Sequence, residues 1–267
     1  MRSWSFFIVR NTATPAVPHK YLPCEEILDG GFNVFNLYFN DVTYDDPHFS
    51  KGNFKDGLAG CFYPEGKRSS IHDAGKLMLW AWTASTLLTY VRTLPEIDPD
   101  CVTVVGHSRM GKTALLAGAI DPRFFCAVSN NSGASGAAIM REKTGETLRL
   151  IYEHFPFWFC EKYKEYIDNE DAMPFDQHFL IAASVYIASG SYDSTACPKN
   201  EFLGAYAATE YFESVGKTGL IFPERLPEPW EFSHEGHVGY HLRDGAHYLG
   251  RYDWNMYMTY VKKHIQK

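Results

Sequence analysis

The sequence predicts an α/β protein in which helices cover both faces of a mainly parallel sheet. Three observations lead there. Short apolar runs of β type alternate along the chain with segments whose apolar residues recur at helical spacing. The run "CVTVVG" is apolar nearly throughout, as a strand buried on both faces should be. Neither an internal repeat nor a Pro/Gly/Ser-rich linker divides the 267 residues, so residues 1–267 are expected to form one domain.

The elements follow in order. "SFFIVRN" reads as a first strand, and "HKYLPCEEILDGGF" as a short helix stopped by Gly30 and Gly31. "NVFNLYFND" is a second strand. The stretch from Asp41 to Ser70 is rich in Gly, Asp and Pro and reads as a long loop, of the length that usually has a function. It either lines a cleft or covers the sheet. "AGKLMLWAWTASTLLTYVRTL" has the spacing of a long helix. "DPDCVTVVGHS" is a turn and then a strand, "MGKTALLAGAI" a helix and "FFCAVSNN" a strand. "GETLRLIYEHF" and "PFDQHFLIAA" read as helices. "SVYIASGSYD" is a strand, "NEFLGAYAATEYFESVG" a helix, "HVGYHLRDG" the last strand and "YDWNMYMTYVKKHI" a C-terminal helix. In such sheets, sites lie beyond the C-terminal ends of the strands.

Composition narrows the function classes. The chain is 45% hydrophobic and 21% charged, enough apolar mass for a sizeable core. Its net charge of -7 argues against nucleic acid and against an anionic membrane as partner. None of the six cysteines forms a C-x-x-C pair, so buried free thiols are expected rather than disulfides or a metal site. No apolar run is long enough to span a membrane, and the N-terminal run is too short for a signal peptide. That predicts a cytoplasmic chain, or a secreted one if its N-terminus is truncated.

One turn carries two competing patterns. Gly106 to Thr113 spell G-x-x-x-x-G-K-T, the form of a nucleotide-phosphate loop. The strand "FFCAVSNN", however, ends in asparagines and not in the acid that would reach Mg²⁺, and the turn bears Arg109 and Met110 where a phosphate cradle needs small residues. The same turn places Ser108 two residues after Gly106, at the end of an apolar strand, as a nucleophile elbow requires. The glycine usual two positions later is absent; Met110 stands there and Gly111 follows. An elbow needs an acid and then a histidine after later strands. Asp193 follows "SVYIASGSY" and His247 lies in a Gly-rich turn after the last strand, in that order. Asp171 and Asp176 are alternatives for the acid. The run "HEGHVGYH", with His234, His237 and His241, fits no common zinc spacing. His241 is expected to be structural, and His178 to be a satisfied histidine under the site. Trp158 is read as core or sugar platform.

"GHSRMGKTALLAGAIDPRF", "SNNSGASGAA", "FPFWFCEKYKEYIDNEDAMPFDQHFLIAA" and "GYHLRDGAHYL" together resemble the glucuronoyl esterase family of carbohydrate esterases, in particular its bacterial branch. The resemblance implies an α/β-hydrolase fold and hydrolysis of an ester of glucuronic acid in plant cell-wall polysaccharide, with acetylxylan deacetylation as the alternative. By position it implies Ser108 as nucleophile, His247 as general base, Arg109 as oxyanion stabiliser and Lys112 as a contact to sugar hydroxyls. It implies a second oxyanion N–H near Asn11 to Thr14, and no metal or organic cofactor. Further strands would precede "SFFIVRN"; a sheet trimmed there has an edge that favours pairing with a second copy.

Three positions depart from the family's pattern. Asn131 stands where the family's more familiar acid is a glutamate, so the acid is expected at Asp193, the position several bacterial relatives use. Ser194 stands where a tryptophan often stacks on the sugar. Ser184 alone closes a gap that usually holds a few more residues, which would shift Asp193. A catalytically silent sugar-binding protein and a phosphate-loop nucleotide binder are the readings from other classes.

Overall fold

The computed structural model describes residues 3–10, 21–45, 53–141, 144–181 and 185–265. The strands are β1 (Ser3–Arg10), β2 (Phe32–Tyr38), β3 (Ile97–His107), β4 (Cys126–Asn130), β5 (Val185–Gly190), β6 (Phe232–Ser233) and β7 (Val238–Arg243). The helices are α1 (Cys24–Asp29), the single turn α2 (Ala59–Phe62), α3 (Lys76–Val91), α4 (Arg109–Ile120), α5 (Leu148–His154), α6 (Pro198–Ser214) and α7 (Arg251–Ile265). Among the described residues the sheet has the order β2-β1-β3-β4-β5-β7-β6, with every pair parallel except β6 and β7. This is the parallel, helix-covered sheet expected, with β2 outermost at one end.

Side chains alternate faithfully across it. Phe7, Val104, Ala127, Ile187 and Tyr240 face one layer of core with α3, α4 and α6. Phe6, Ile8, Val105, Val128, Tyr186 and Ala188 face the other, against Trp254, Tyr257, Met258 and Val261 of α7. β7 divides its residues the same way. Val238, Tyr240 and Leu242 join the first layer, which leaves His241 and Arg243 on the α7 side.

Several elements differ from the sequence reading. β3 starts at Ile97, before the expected turn; its register against β1 jumps between Ser3 and Ser5, which absorbs Asp98 to Cys101 with Pro99 among them. Among the described residues of "PFDQHFLIAA" the expected helix is a 3₁₀ turn, Gln177–Ile181. Asp176 explains that start: its carboxylate accepts the N–H groups of Met140, Arg141 and Gln177, tying the segment to a distant loop. The antiparallel β6 was not anticipated, because two residues carry no period. The second strand ends at Tyr38, before the turn Phe39–Asp41, and the long loop that follows contains α2. It is pinned to α3 by the fully buried Lys76, which donates to the Tyr44 carbonyl at 2.6 Å and pairs with Asp56 at 3.4 Å. Among the described residues no helix is long and apolar enough to cross a membrane.

Candidate active site

Four sheet neighbours end together, and each contributes a residue: Ser108 after β3, Asn131 after β4, Asp193 after β5 and His247 after β7. These are C-terminal strand ends, where parallel sheets carry their sites.

Ser108 joins β3 to α4 with φ 59° and ψ −128°, a conformation rare for a residue with a side chain. Its N–H donates to the Asn130 carbonyl at 2.8 Å. Gly106 lets the turn close, since a Cβ there would lie 1.8 Å from the Met110 carbonyl oxygen. The missing glycine at 110 has no such consequence: Met110 turns its side chain into the core and is fully buried. The phosphate-loop match fails here. Arg109 to Thr113 are helix, and the N–H groups of Gly111 and Lys112 are taken by the Ser108 carbonyl. The Lys112 ammonium is buried against the Ser132 carbonyl.

Asp193 and His247 meet at 2.5 Å, Oδ2 to Nδ1. The same oxygen accepts from Asn131 Nδ2 at 2.8 Å, and Oδ1 accepts the Ala196 N–H at 3.1 Å. Burial alone would raise the Asp193 pKa; the bonds from His247, Ala196 and Asn131 outweigh it and hold the carboxyl below the usual range. A carboxylate on Nδ1 fixes the proton there and leaves the Nε2 lone pair available as a base. Asn131, in the left-handed region at φ 47°, therefore stands at the other acid position as a donor to Asp193. Residues 182–184 lie outside the described residues, and Asp193 reaches His247 nonetheless. The alternative acids stand elsewhere: Asp176 holds backbone N–H groups, and the Asp171 carboxyl is 92% exposed.

Ser108, Arg109, Lys112, Asp193 and His247 line one cleft of about 280 Å³, together with Glu146, Phe155, Trp158 and Thr195. Phe155 and Trp158 stack at 4.0 Å, and the Arg109 guanidinium lies over both rings. Asp45 holds that corner, accepting from Arg109 and, at 2.5 Å, from Trp158 Nε1. Burial, stronger than its cationic neighbours, raises the Asp45 pKa. Trp158 is thus a buried wall beneath Arg109. Arg109 Nε is buried with no partner among the described residues. Thr195 faces the cleft while Ser194 is exposed. The expected N–H donors near Asn11 to Thr14 lie outside the described residues. A larger cavity, about 760 Å³, lies at the opposite strand ends beside Asp100 and Phe125, away from this chemistry.

His107 packs beneath His247 with ring centroids 4.5 Å apart. Its Nδ1 meets Asn130 Oδ1 at 2.6 Å, and Asn130 Nδ2 donates to the Tyr257 hydroxyl at 2.8 Å. Burial, with help from the nearby His247, lowers the His107 pKa to about 4, so the ring is neutral. The remaining histidines disperse. His234 and His241 bond Tyr186, His241 also bonds Asp253, and His237 bonds the Thr218 carbonyl. Among the described residues no group of three His, Cys, Asp or Glu side chains gathers to hold a metal. His178 corrects the sequence reading: it lines a separate hollow with Glu210 and Tyr211, and its buried Nδ1 has no partner among the described residues.

Asp45, His107, Asn131 and Glu146 are the site residues that sequence reasoning left without a role. His107 had a signal in its place next to Ser108 inside the motif, and Asn131 in standing at the family's other acid position. Asp45 lies in an irregular loop, where nothing in its spacing points at Arg109.

Comparison with known proteins bears on this geometry. The sequence model of the family described as glucuronyl esterase, fungi, matches residues 39–216. A carbohydrate esterase from an unknown prokaryotic organism is 39% identical over 90% of this chain and 55% of its own length. A 4-O-methyl-glucuronoyl methylesterase of Podospora anserina is 32% identical over 56% of this chain and 32% of its own. The chain thus spans about half, or less, of the curated relatives it matches. Two solved structures superpose with TM-score 0.86. One is a promiscuous carbohydrate esterase of family CE15 from a marine bacterial metagenome, 30% identical over 99% of this chain and 74% of that one. The other is the glucuronoyl esterase of Solibacter usitatus, 32% identical over 97% and 73%. With its parallel sheet, its elbow at Ser108 and this breadth of likeness, the chain belongs to the glucuronoyl esterase family, with the α/β-hydrolase fold of those enzymes.

Proposed function

We propose that this chain is a serine carbohydrate esterase that hydrolyses a glucuronoyl ester of a plant cell-wall sugar through an acyl-enzyme. The observation that carries the reading is the 2.5 Å bond between Asp193 and His247 in the cleft that Ser108 enters from a strained turn. Ser108 Oγ attacks the ester carbonyl while His247 Nε2 takes its proton. Asp193 keeps the proton on Nδ1 and stabilises the imidazolium that forms. Negative charge grows on the carbonyl oxygen, and Arg109 with the N–H groups at the start of α4 is the donor set beside it. The tetrahedral intermediate collapses, the alcohol leaves with the proton from His247, and Ser108 is left acylated by glucuronate. Water, deprotonated by His247, then attacks the acyl-enzyme and frees the acid. Glu146, on the cleft wall, is suited to sugar hydroxyls, and Lys112 lines the same wall with its ammonium on the Ser132 carbonyl. No step needs a metal or an organic cofactor.

Acetyl-ester hydrolysis is the second reading, favoured by Thr195 and Ser194 where no aromatic ring faces the sugar. Turnover of benzyl methyl-glucuronate and of acetylated xylo-oligosaccharide should be measured side by side, with Ser108→Ala as control. The expected result is faster turnover of the glucuronate ester, lost in the control. Faster deacetylation would reverse the substrate assignment. No turnover of either ester and no labelling by a serine-directed phosphonate would remove the esterase reading.

A further inference from the structure

The loop that carries His247, residues 244–250, runs between β7 and α7 with no regular structure. His247 has 43% of its side chain exposed. Asp193 and His107 hold its ring from one side, and the backbone on either side of it must place the residue within their reach. Arg243, the last residue of β7 and buried, reaches back into that loop. Its Nη2 donates to the Ala246 carbonyl at 3.0 Å and to the Tyr248 carbonyl at 2.8 Å, the residues flanking His247. Its Nε donates to Asp253 Oδ1 at 3.3 Å. Asp253 sits in the first turn of α7, where its other oxygen accepts the Gly250 N–H at 2.7 Å, and His241 Nε2 meets Oδ1 at 2.9 Å. Both ends of the loop are therefore tied to one guanidinium and one carboxylate. Gly245, at φ 144°, makes room for this: a Cβ there would lie 2.3 Å from Nη1.

We propose that Arg243 is the positioning residue that sets where His247 stands, acting through the two carbonyls beside it. This rests on the reading of His247 as the base. Charged donors are strong and directional, and the planar fork keeps Asp253 on Nε while Nη2 serves both carbonyls, a spread that one ammonium nitrogen cannot cover. A displacement of about 1 Å at a proton-transfer group is enough to cost ~100-fold in rate.

The test is kinetic and spectroscopic, on the full chain. Arg243→Lys is expected to lower kcat by about 10- to 100-fold with KM within about twofold. In a His247→Ala background the same substitution should change nothing further, because a residue that acts through His247 loses its effect with it. Gly245→Ala, with Arg243 intact, should reproduce the kcat loss. The downfield proton resonance of His247 Nδ1–H, identified by its absence in His247→Ala, should broaden or shift in Arg243→Lys. Circular dichroism establishes that each variant is folded at the assay temperature. Unchanged kcat, an equal loss in the His247→Ala background, or an unchanged Nδ1 resonance would overturn the proposal. If the wild type hydrolyses no ester, the esterase reading fails by itself, and the Nδ1 resonance alone decides the role of Arg243.

Discussion

Two histidine–aspartate pairs stand among the described residues, and they differ in one nitrogen. His247 gives Nδ1 to Asp193 at 2.5 Å and keeps Nε2 for the cleft. His241 gives Nε2 to Asp253 at 2.9 Å and spends Nδ1 on the Tyr186 hydroxyl at 3.1 Å. His241 and Asp253 are both fully buried, whereas His247 is partly open to solvent. On the esterase reading proposed above, the same two side-chain types make a base in one place and a strut in the other. The difference is whether the imidazole's second nitrogen has a protein partner. Proximity of a histidine to a carboxylate is therefore a poor marker of catalysis unless the far nitrogen is also followed.

The comparison is broken most severely at Asp193. Asp193→Asn should lower kcat by about 10³- to 10⁴-fold, since an amide donor in that place favours the wrong tautomer of His247. Steady-state kinetics on the preferred ester, beside a melting curve little changed from wild type, checks this. At the other pair the loss should fall on stability. Asp253→Ala leaves the Arg243 guanidinium buried without its carboxylate and should destabilise by about 3–5 kcal/mol, read from urea unfolding.

A pH series sharpens the contrast between buried and open rings. The pKa values of His107 and His234 are lowered to about 4, by burial above all, from 6.5. Both are neutral when folded, and the unfolded chain binds the protons first as pH falls. Stability should therefore be full above pH 6.5 and decline towards pH 4, by on the order of 3 kcal/mol for each ring. His107→Phe should flatten that decline; an unchanged slope of urea midpoint against pH would count against a neutral His107. Carboxylates with lowered pKa, Asp193 and Asp253 among them, add their losses mainly at and below the acid end of this window. The smallest effect is expected at Asn131. Asn131→Gly tolerates the positive φ and removes one hydrogen bond to Asp193, so about 1 kcal/mol of stability and a severalfold drop in kcat should follow. Equal kcat for the two proteins would show that Asp193 is held by Ala196 and His247 alone.

Much of this was legible beforehand, for physical reasons that differ by element. β3 and α4 announce themselves through an apolar run, a glycine and a helical period. Asp193 and His247 were located because both follow strands whose ends converge by topology. What the sequence does not carry is contact across long separations. Asp45 reaches Arg109 over 64 positions, and Asp176 captures Met140 over 36. Such bonds have no period and no turn chemistry to mark them. Arg243 shows a subtler gap. Alternation along β7 puts it on the face of α7, but only the folded loop shows that its guanidinium turns back to the carbonyls around His247.

The elbow itself imposes a trade-off. Ser108 holds φ 59° and ψ −128° as part of the folded turn itself. A conformation of that kind costs on the order of 1–3 kcal/mol, a sizeable part of a typical domain's net stability. The protein is thus permanently less robust than its sheet would allow, in exchange for a hydroxyl raised clear of the strand. Heat-resistant versions sought by random substitution should include residue 108 itself, where a glycine relaxes the turn and, on the esterase reading, silences the chemistry in the same step. Selection for durability in this scaffold has to be coupled to selection for turnover.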